Sequence, residues 1–151
     1  MRYSSRVMSI EIRQAQLADY REIIALWQRA GLSYEPQGRD SPEAIAHQIE
    51  ANGRLIWVAQ GRSGSLLGVV FGSHDGRKGW INRLAVDPAH RREGIAQQLV
   101  QAAEAALKQE DISIVAALVE EPNPASMALF KRLGYSERRD IIYFRKPFKG
   151  E

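Results

Sequence analysis

The chain has 151 residues, 44% hydrophobic and 26% charged, with a formal net charge of +3 and an isoelectric point near 9.4. That size suits one domain with one core, and the mild basic excess sits in small clusters (Arg91-Arg92, Lys131-Arg132, Arg138-Arg139) rather than in the stripe a nucleic-acid binder carries. No cysteine is present, which excludes disulfides, thiolate nucleophiles and cysteine metal sites.

Residues 1–8 contain two arginines and no apolar run, so a flexible leader is expected there rather than a secretory signal. One domain is expected over 9–151. No apolar run is long enough to span a bilayer, and a cytoplasmic protein with no membrane partner is the expectation. Ser9–Arg13 alternates as a short strand. Asp19–Ala30 places Tyr20, Ile23, Ile24 and Trp27 on one helical face, and Gly31 stops it. Leu32–Asp40 is a polar, Gly- and Pro-containing loop. Ser41 caps a second helix with Pro42 at its first position and Ile45 and Ile49 inward.

Leu55–Ala59 and Leu66–Ser73 are strands joined by the hairpin Gly61-Arg62-Ser63-Gly64. A tight turn at Asp75-Gly76 leads to a strand over Trp80–Val86. A helix follows over about Gly94–Lys108, with Ile95, Leu99, Ala102, Ala103 and Ala106 inward. Ile112–Val119 is nearly continuous in apolar residues, as in a strand covered on both faces. Asn123 caps a last helix that ends at Gly134, and Asp140–Lys146 reads as a final strand. This order predicts an α+β or α/β fold around a central sheet.

The most informative stretch is Leu84-Ala85-Val86-Asp87-Pro88-Ala89-His90-Arg91-Arg92-Glu93-Gly94-Ile95-Ala96. A strand ends in a turn, two arginines come next, and a glycine opens a helix. The first N–H groups of a helix lack intrahelical partners and sit at the positive end of its dipole. The N–H groups of Arg92, Glu93, Gly94, Ile95 and Ala96, with the Arg91 and Arg92 side chains, therefore form a candidate anion site. A plain turn with solvated arginines is the competing reading. Neither the G-x-G-x-x-G dinucleotide pattern nor a P-loop is present. His47, His74 and His90 lack ligand spacing, so no metal is expected.

Arg91-x-x-Gly94-x-Ala96 resembles the Q/R-x-x-G-x-G/A motif of the GNAT superfamily of acetyl-CoA-dependent N-acetyltransferases. About thirty residues on, Asn123-x-x-Ser126-x-x-Leu129-Phe130-x-x-x-Gly134-Tyr135 resembles that family's second signature. The turn at Gly72–Arg77 and the Gly134-Tyr135 ending look most like its small bacterial YpeA-type members. The resemblance covers essentially the whole chain. It implies an α+β, sandwich-like fold with a mixed, mostly antiparallel twisted sheet flanked by about four helices.

The resemblance further implies that the backbone of Leu84, Ala85 and Val86 pairs with the pantetheine arm of acetyl-CoA, in a gap where this strand splays from Ile112–Val119. Residues 91–96 would hold the pyrophosphate, Asn123 would bond the arm, and Ser126 and Phe130 would lie beside the sulfur. The Val86 N–H would polarise the thioester carbonyl. Asn123 is also a good helix cap without any ligand.

The family usually has Tyr where this chain has Phe130, so the proton donor is displaced; Tyr143, or Tyr135, or water are the candidates. Glu120 and Glu121 are candidate bases, although adjacent loop acids are often just solvated. Asn82 stands where some relatives carry Glu; it cannot be a base, but can orient water. His74 and Asp75 could face the acceptor mouth. The acceptor, an amine, is expected against the Leu32–Asp40 loop, the second helix and the His74 turn, with Tyr34, Glu35 and Asp40 attracting a cation. The acceptor's identity and the choice between monomer and homodimer stay open. The alternatives are a non-catalytic acyl-CoA-binding or sensor module, and a nucleic-acid-binding protein, for which no aromatic-basic interleaving speaks.

Overall fold

The computed structural model describes residues 10–149; Ser9 and the expected leader over 1–8 lie outside them. The elements run in the order β1 (Glu11–Gln14), α1 (Tyr20–Ala30), α2 (Pro42–Asn52), β2 (Ile56–Gln60), β3 (Leu66–His74), β4 (Gly79–Val86), α3 (Ile95–Gln109), β5 (Val115–Ala117) and α4 (Pro124–Arg132). The described residues group into two compact units that divide between Leu118 and Val119. The first holds the sheet and α1–α3; the second holds α4 and the C-terminal residues after it.

The fold is α+β. Its five strands lie in sequence order, antiparallel from β1 to β4 and parallel between β4 and β5. A parallel neighbour needs a crossover, and α3 supplies it. The helix boundaries reflect local chemistry. The Ser41 hydroxyl accepts from the Ala44 N–H at 3.1 Å, and Pro42 occupies the first turn of α2, where its missing donor costs nothing. Gly31 closes α1 at φ +78°, a left-handed conformation glycine adopts without a Cβ penalty.

Alternation along β3 sends side chains to opposite faces. Val69 and Phe71 join Ile23, Leu26 and Trp27 of α1, Ile45 and Ile49 of α2, and Ile56 and Val58 of β2 in one buried cluster. The Trp27 and Phe71 rings meet at 5.5 Å, a favourable tilted aromatic contact. The opposite face carries Gly68 and Gly72. A Cβ on Gly68 would stand 2.8 Å from Leu99 Cδ1 and 2.9 Å from Ile95 Cγ2, so the missing side chain is what lets α3 press against the sheet. Ile95, Leu99, Val100, Ala103, Ala106 and Leu107 of α3 are buried; Ala102, expected inward, is only half-buried.

Two strand expectations are corrected. Ile112–Val119 yields only the three residues of β5, partly buried, with Ile114 and Leu118 exposed. In the first unit β5 is the last strand, paired on one side only, and its residues are only partly buried. Asp140–Lys146 forms no strand, and Ile141, Ile142, Tyr143 and Phe144 are exposed. An extended segment needs a neighbour to accept its backbone bonds, and the described residues of the second unit contain no other strand.

At the β3–β4 turn the His74 Nδ1 accepts from the Gly76 N–H at 2.9 Å. Nε2 therefore carries the ring proton and donates to Glu110 at 2.8 Å. Arg54 grips the same carboxylate at 2.6 and 3.0 Å. The bonds from Arg54 and His74 hold the Glu110 carboxyl down at about 2. His74 is thus tied to the end of α3, at the opposite end of β4 from Val86.

Candidate functional site

The site starts where β4 leaves β5. Their pairing runs Gly79 with Val115, Trp80 with Ala116 and Ile81 with Ala117, and stops, while β4 continues to Val86. The Asp87 N–H donates to the Leu67 carbonyl at 2.7 Å, so Asp87 and Leu67 are a bonded pair. Antiparallel pairs alternate between bonded and non-bonded. Ala85 opposite Val69 is then bonded again, whereas Val86 opposite Gly68 turns its N–H and C=O away from β3, toward the side that β5 has vacated. Ala85 is buried and gives its backbone to the sheet.

Between Asn82 and Ala85 the register with β3 shifts. Arg83 and Leu84 face the single residue Val70, and Arg83 adopts φ +53°. This is a β-bulge, which bends a strand and re-aims its side chains. Asn82 donates weakly to the Ser73 hydroxyl at 3.4 Å.

After Val86 the chain makes a short 3-10 turn, Pro88–His90. The Asp87 carboxylate accepts from the Ala89 N–H at 2.9 Å and pairs with Arg29 of α1 at 3.0 Å. The Ala89 N–H first, and the Arg29 guanidinium after it, hold this carboxyl below its ordinary range. Arg92 (φ +66°) and Gly94 (φ +80°) then turn the chain into α3. Among the described residues no side chain caps that helix, which leaves its first N–H groups without a side-chain acceptor. A Cβ on Gly94 would meet nothing within 4 Å, so the space over the turn is open. Arg91 and Arg92 are exposed, Glu93 and Ala96 half-buried, and Ile95 buried beneath them. His90 Nδ1 lies 3.5 Å from Glu93. The turn gathers backbone donors, a helix dipole and two arginines in one open place, as an anionic group requires.

The α1–α2 loop meets β4 at the bulge. The Arg83 guanidinium stacks 4.1 Å above the Trp27 ring. Its Nη1 donates to the Ser33 carbonyl at 2.9 Å, and its Nη2 lies 3.7 Å from Asp40 Oδ2. Burial pulls the Arg83 pKa below its usual value, against the attraction of Asp40. Asp40 is buried at 6% exposure and accepts from the Glu35 N–H at 2.8 Å. The expectation that Asp40 attracts a soluble amine is corrected: its carboxylate is occupied inside the loop. Tyr34 accepts from Gln28 at 2.5 Å, and Glu35 is exposed. Arg83 is the residue the motifs did not single out. Its only signal is a lone cation inside a mostly apolar strand.

In the second unit the Asn123 carboxamide oxygen accepts from the Ser126 N–H at 3.2 Å, so Asn123 caps α4 through its oxygen, and among the described residues its NH₂ group has no partner. Ser126 is half-buried. Phe130 is buried at 8% exposure, with its ring edge-on to Tyr135 at 5.0 Å. Glu120 is exposed; Glu121 is exposed and pairs with Arg139 at 2.5 Å. Tyr143 lies exposed in irregular backbone. Among the described residues no group of three His, Cys, Asp or Glu could hold a metal ion, and no helix is long and apolar enough to cross a membrane.

Residues 13–135 match the Acetyltransferase (GNAT) family, and the chain belongs to that family. Acetyltransferase YE1169 of Yersinia enterocolitica (serotype O:8 / biotype 1B, strain NCTC 13174 / 8081) is 31% identical over 138 residues, 91% of this chain and 94% of that protein. Among solved structures, AAC(6')-Iy in complex with a bisubstrate analog superposes with a TM-score of 0.74 at 19% identity, covering 91% of this chain and 98% of that one. The PaiA N-acetyltransferase of Thermoplasma acidophilum, in complex with coenzyme A, gives a TM-score of 0.75 at 20% identity over 85% and 91%. At such identities the two structures establish a shared fold.

Proposed function

We propose that this protein is an N-acetyltransferase that moves the acetyl group of acetyl-CoA directly to a primary amine. The observation that carries the reading is the early end of β4–β5 pairing. It leaves the Val86 backbone turned into a gap that leads to the uncapped, glycine-opened start of α3.

The residues fit acetyl-CoA. The N–H groups of Arg92, Glu93, Gly94, Ile95 and Ala96 would donate to its pyrophosphate, and the open space at Gly94 admits the phosphate close to the backbone. Arg91 and Arg92 add positive charge. The Val86 backbone would pair with the pantetheine arm, with Leu84 and Ala85 before it forming the strand wall on which the arm lies. Asn123 would donate its free NH₂ to that arm, and Ser126 and Phe130 would line the sulfur. Acetyl-CoA supplies an activated thioester; the chain's own contribution is to hold two reactants together and to place donors. The Val86 N–H would donate to the thioester oxygen. Glu120 or Glu121, directly or through water, would take the proton from the acceptor ammonium, so that the neutral amine forms its C–N bond as the C–S bond breaks. The Tyr143 hydroxyl would give its proton to the departing thiolate and take up the one that the new amide nitrogen sheds.

Phe130 favours a second reading, a non-catalytic acyl-CoA-binding module, because a buried phenyl ring has no proton to give. One experiment separates the two. Acetyl-CoA binding is measured by calorimetry, and free thiol release is monitored across a panel of polyamines, amino acids, aminoglycosides and peptides. Binding with amine-dependent release is expected; binding without release from any amine would leave the sensor reading.

A further inference from the structure

Arg83 occupies a conformation that costs a non-glycine residue, at a half-buried position inside β4. Glycine would relax the backbone, so the side chain must be what the position is for. Its guanidinium is clamped between the Trp27 ring at 4.1 Å, the Ser33 carbonyl at 2.9 Å and the Asp40 carboxylate at 3.7 Å. Ser33 and Asp40 stand near the two ends of the α1–α2 loop. Asp40 in turn holds the middle of that loop through the Glu35 N–H. One side chain on β4 thereby fastens the loop at both ends.

The clamp is also incomplete. Among the described residues, Nε and Nη2 of Arg83 and Nε1 of Trp27 are buried without a hydrogen-bond acceptor. Buried donors of this kind are costly. A shift of the loop by less than about 1 Å toward β4 would turn the 3.7 Å approach to Asp40 into a charge-assisted bond. The loop therefore has a tighter position within reach.

We infer that Arg83 is a positioning residue for the acceptor: through Ser33 and Asp40 it fixes the α1–α2 loop against the bulge of β4, beside the backbone of Leu84–Val86. This rests on the acetyltransfer reading for the identity of the bound amine, while the loop clamp itself does not. The acceptor wall and the acyl-binding strand are then one mechanical unit, and Arg83 and Asp40 govern how the amine is held rather than how acetyl-CoA is held.

The test uses the full chain and the variants Arg83→Gly, Arg83→Lys and Asp40→Asn. Hydrogen exchange of residues 32–41 is compared with that of residues 67–71 in β3, and acetyl-CoA affinity is measured by calorimetry. Acceptor KM and kcat are measured with an amine that the wild-type protein acetylates. Arg83→Gly and Asp40→Asn should each speed exchange in the loop at least tenfold while leaving 67–71 protected. They should raise acceptor KM about tenfold with kcat and acetyl-CoA affinity within threefold, and Arg83→Lys should recover part of both effects. Unchanged loop exchange in all three variants would overturn the clamp. Acetyl-CoA affinity falling as far as acceptor affinity would overturn the assignment to the acceptor. Arg83→Gly losing protection everywhere would mark a folding defect in that variant, and Asp40→Asn and Arg83→Lys then decide. A wild-type protein that does not bind acetyl-CoA would refute the acetyltransfer reading, and with it the acceptor role, whatever the loop does.

Discussion

Gly94 shows how much one residue settles. Its φ of +80° costs any residue with a Cβ roughly 1 kcal/mol or more, and the space above it is open. Gly94→Ala is therefore expected to lower Tm by a few degrees, since a chain of this length loses about 2–4 °C per kcal/mol. The new methyl group would also stand where the proposed site brings phosphate oxygens to the backbone, so acetyl-CoA affinity should fall at least tenfold by calorimetry, well beyond the loss of stability. Phe130 makes the opposite point. It is buried against Tyr135, and its missing hydroxyl is a chemical deficit rather than a packing one. With Tyr143 as the acid, Phe130→Tyr should leave kcat within threefold in the thiol-release assay, whereas a gain of tenfold or more would show that the acid is missing, since a placed general acid contributes about 10²–10⁴.

At the scale of elements, the end of α3 is fastened to the β3–β4 hairpin through charge. Glu110 accepts from Arg54 and His74, and its carboxyl is pulled from an ordinary 4.5 to about 2. A carboxyl lowered on folding stabilises the protein above its unfolded pKa, and that contribution disappears as pH falls through the folded value. Glu110→Gln should therefore melt below the wild type at pH 7, and the gap should narrow as pH drops from about 5 toward 3. A gap of constant size in scanning calorimetry would show that the ion pair is not its source. The network is exposed enough that salt should shrink the gap as well.

The same scale explains what was legible. Ser41, Asn123 and Gly31 announce helix boundaries because caps and stops are satisfied within three or four residues, and all three do so in the structure. Ile112–Val119 and Asp140–Lys146 misled because an apolar run shows that residues avoid water, not that a neighbouring strand is there to pair with them. The clamp at Arg83 was illegible for the same reason: Trp27, Ser33 and Asp40 are 43 to 56 positions away in the chain.

For the whole molecule, acetyl-CoA and folding are linked by mass action. A ligand that binds only the native state adds about 2.7 kcal/mol at a hundredfold excess over Kd. With the sensitivity of a chain of about 150 residues, acetyl-CoA at that excess should raise Tm by about 5–10 °C, and acetate at the same concentration should not. A protein that melts at the same temperature with and without acetyl-CoA would contradict the proposed donor.

The sequence by itself determined the family and singled out the candidate anion-binding turn, since a strand end, two arginines and a helix-opening glycine are neighbours whose chemistry acts over a few residues. Only the tertiary structure decided that β4 and β5 part after three pairs, that the Val86 backbone faces the gap, and that Arg83 locks the α1–α2 loop to the bulge. Those features arise from strand register and from contacts between distant segments, where the direction of each hydrogen bond is set by the partner strand rather than by the residue that carries it.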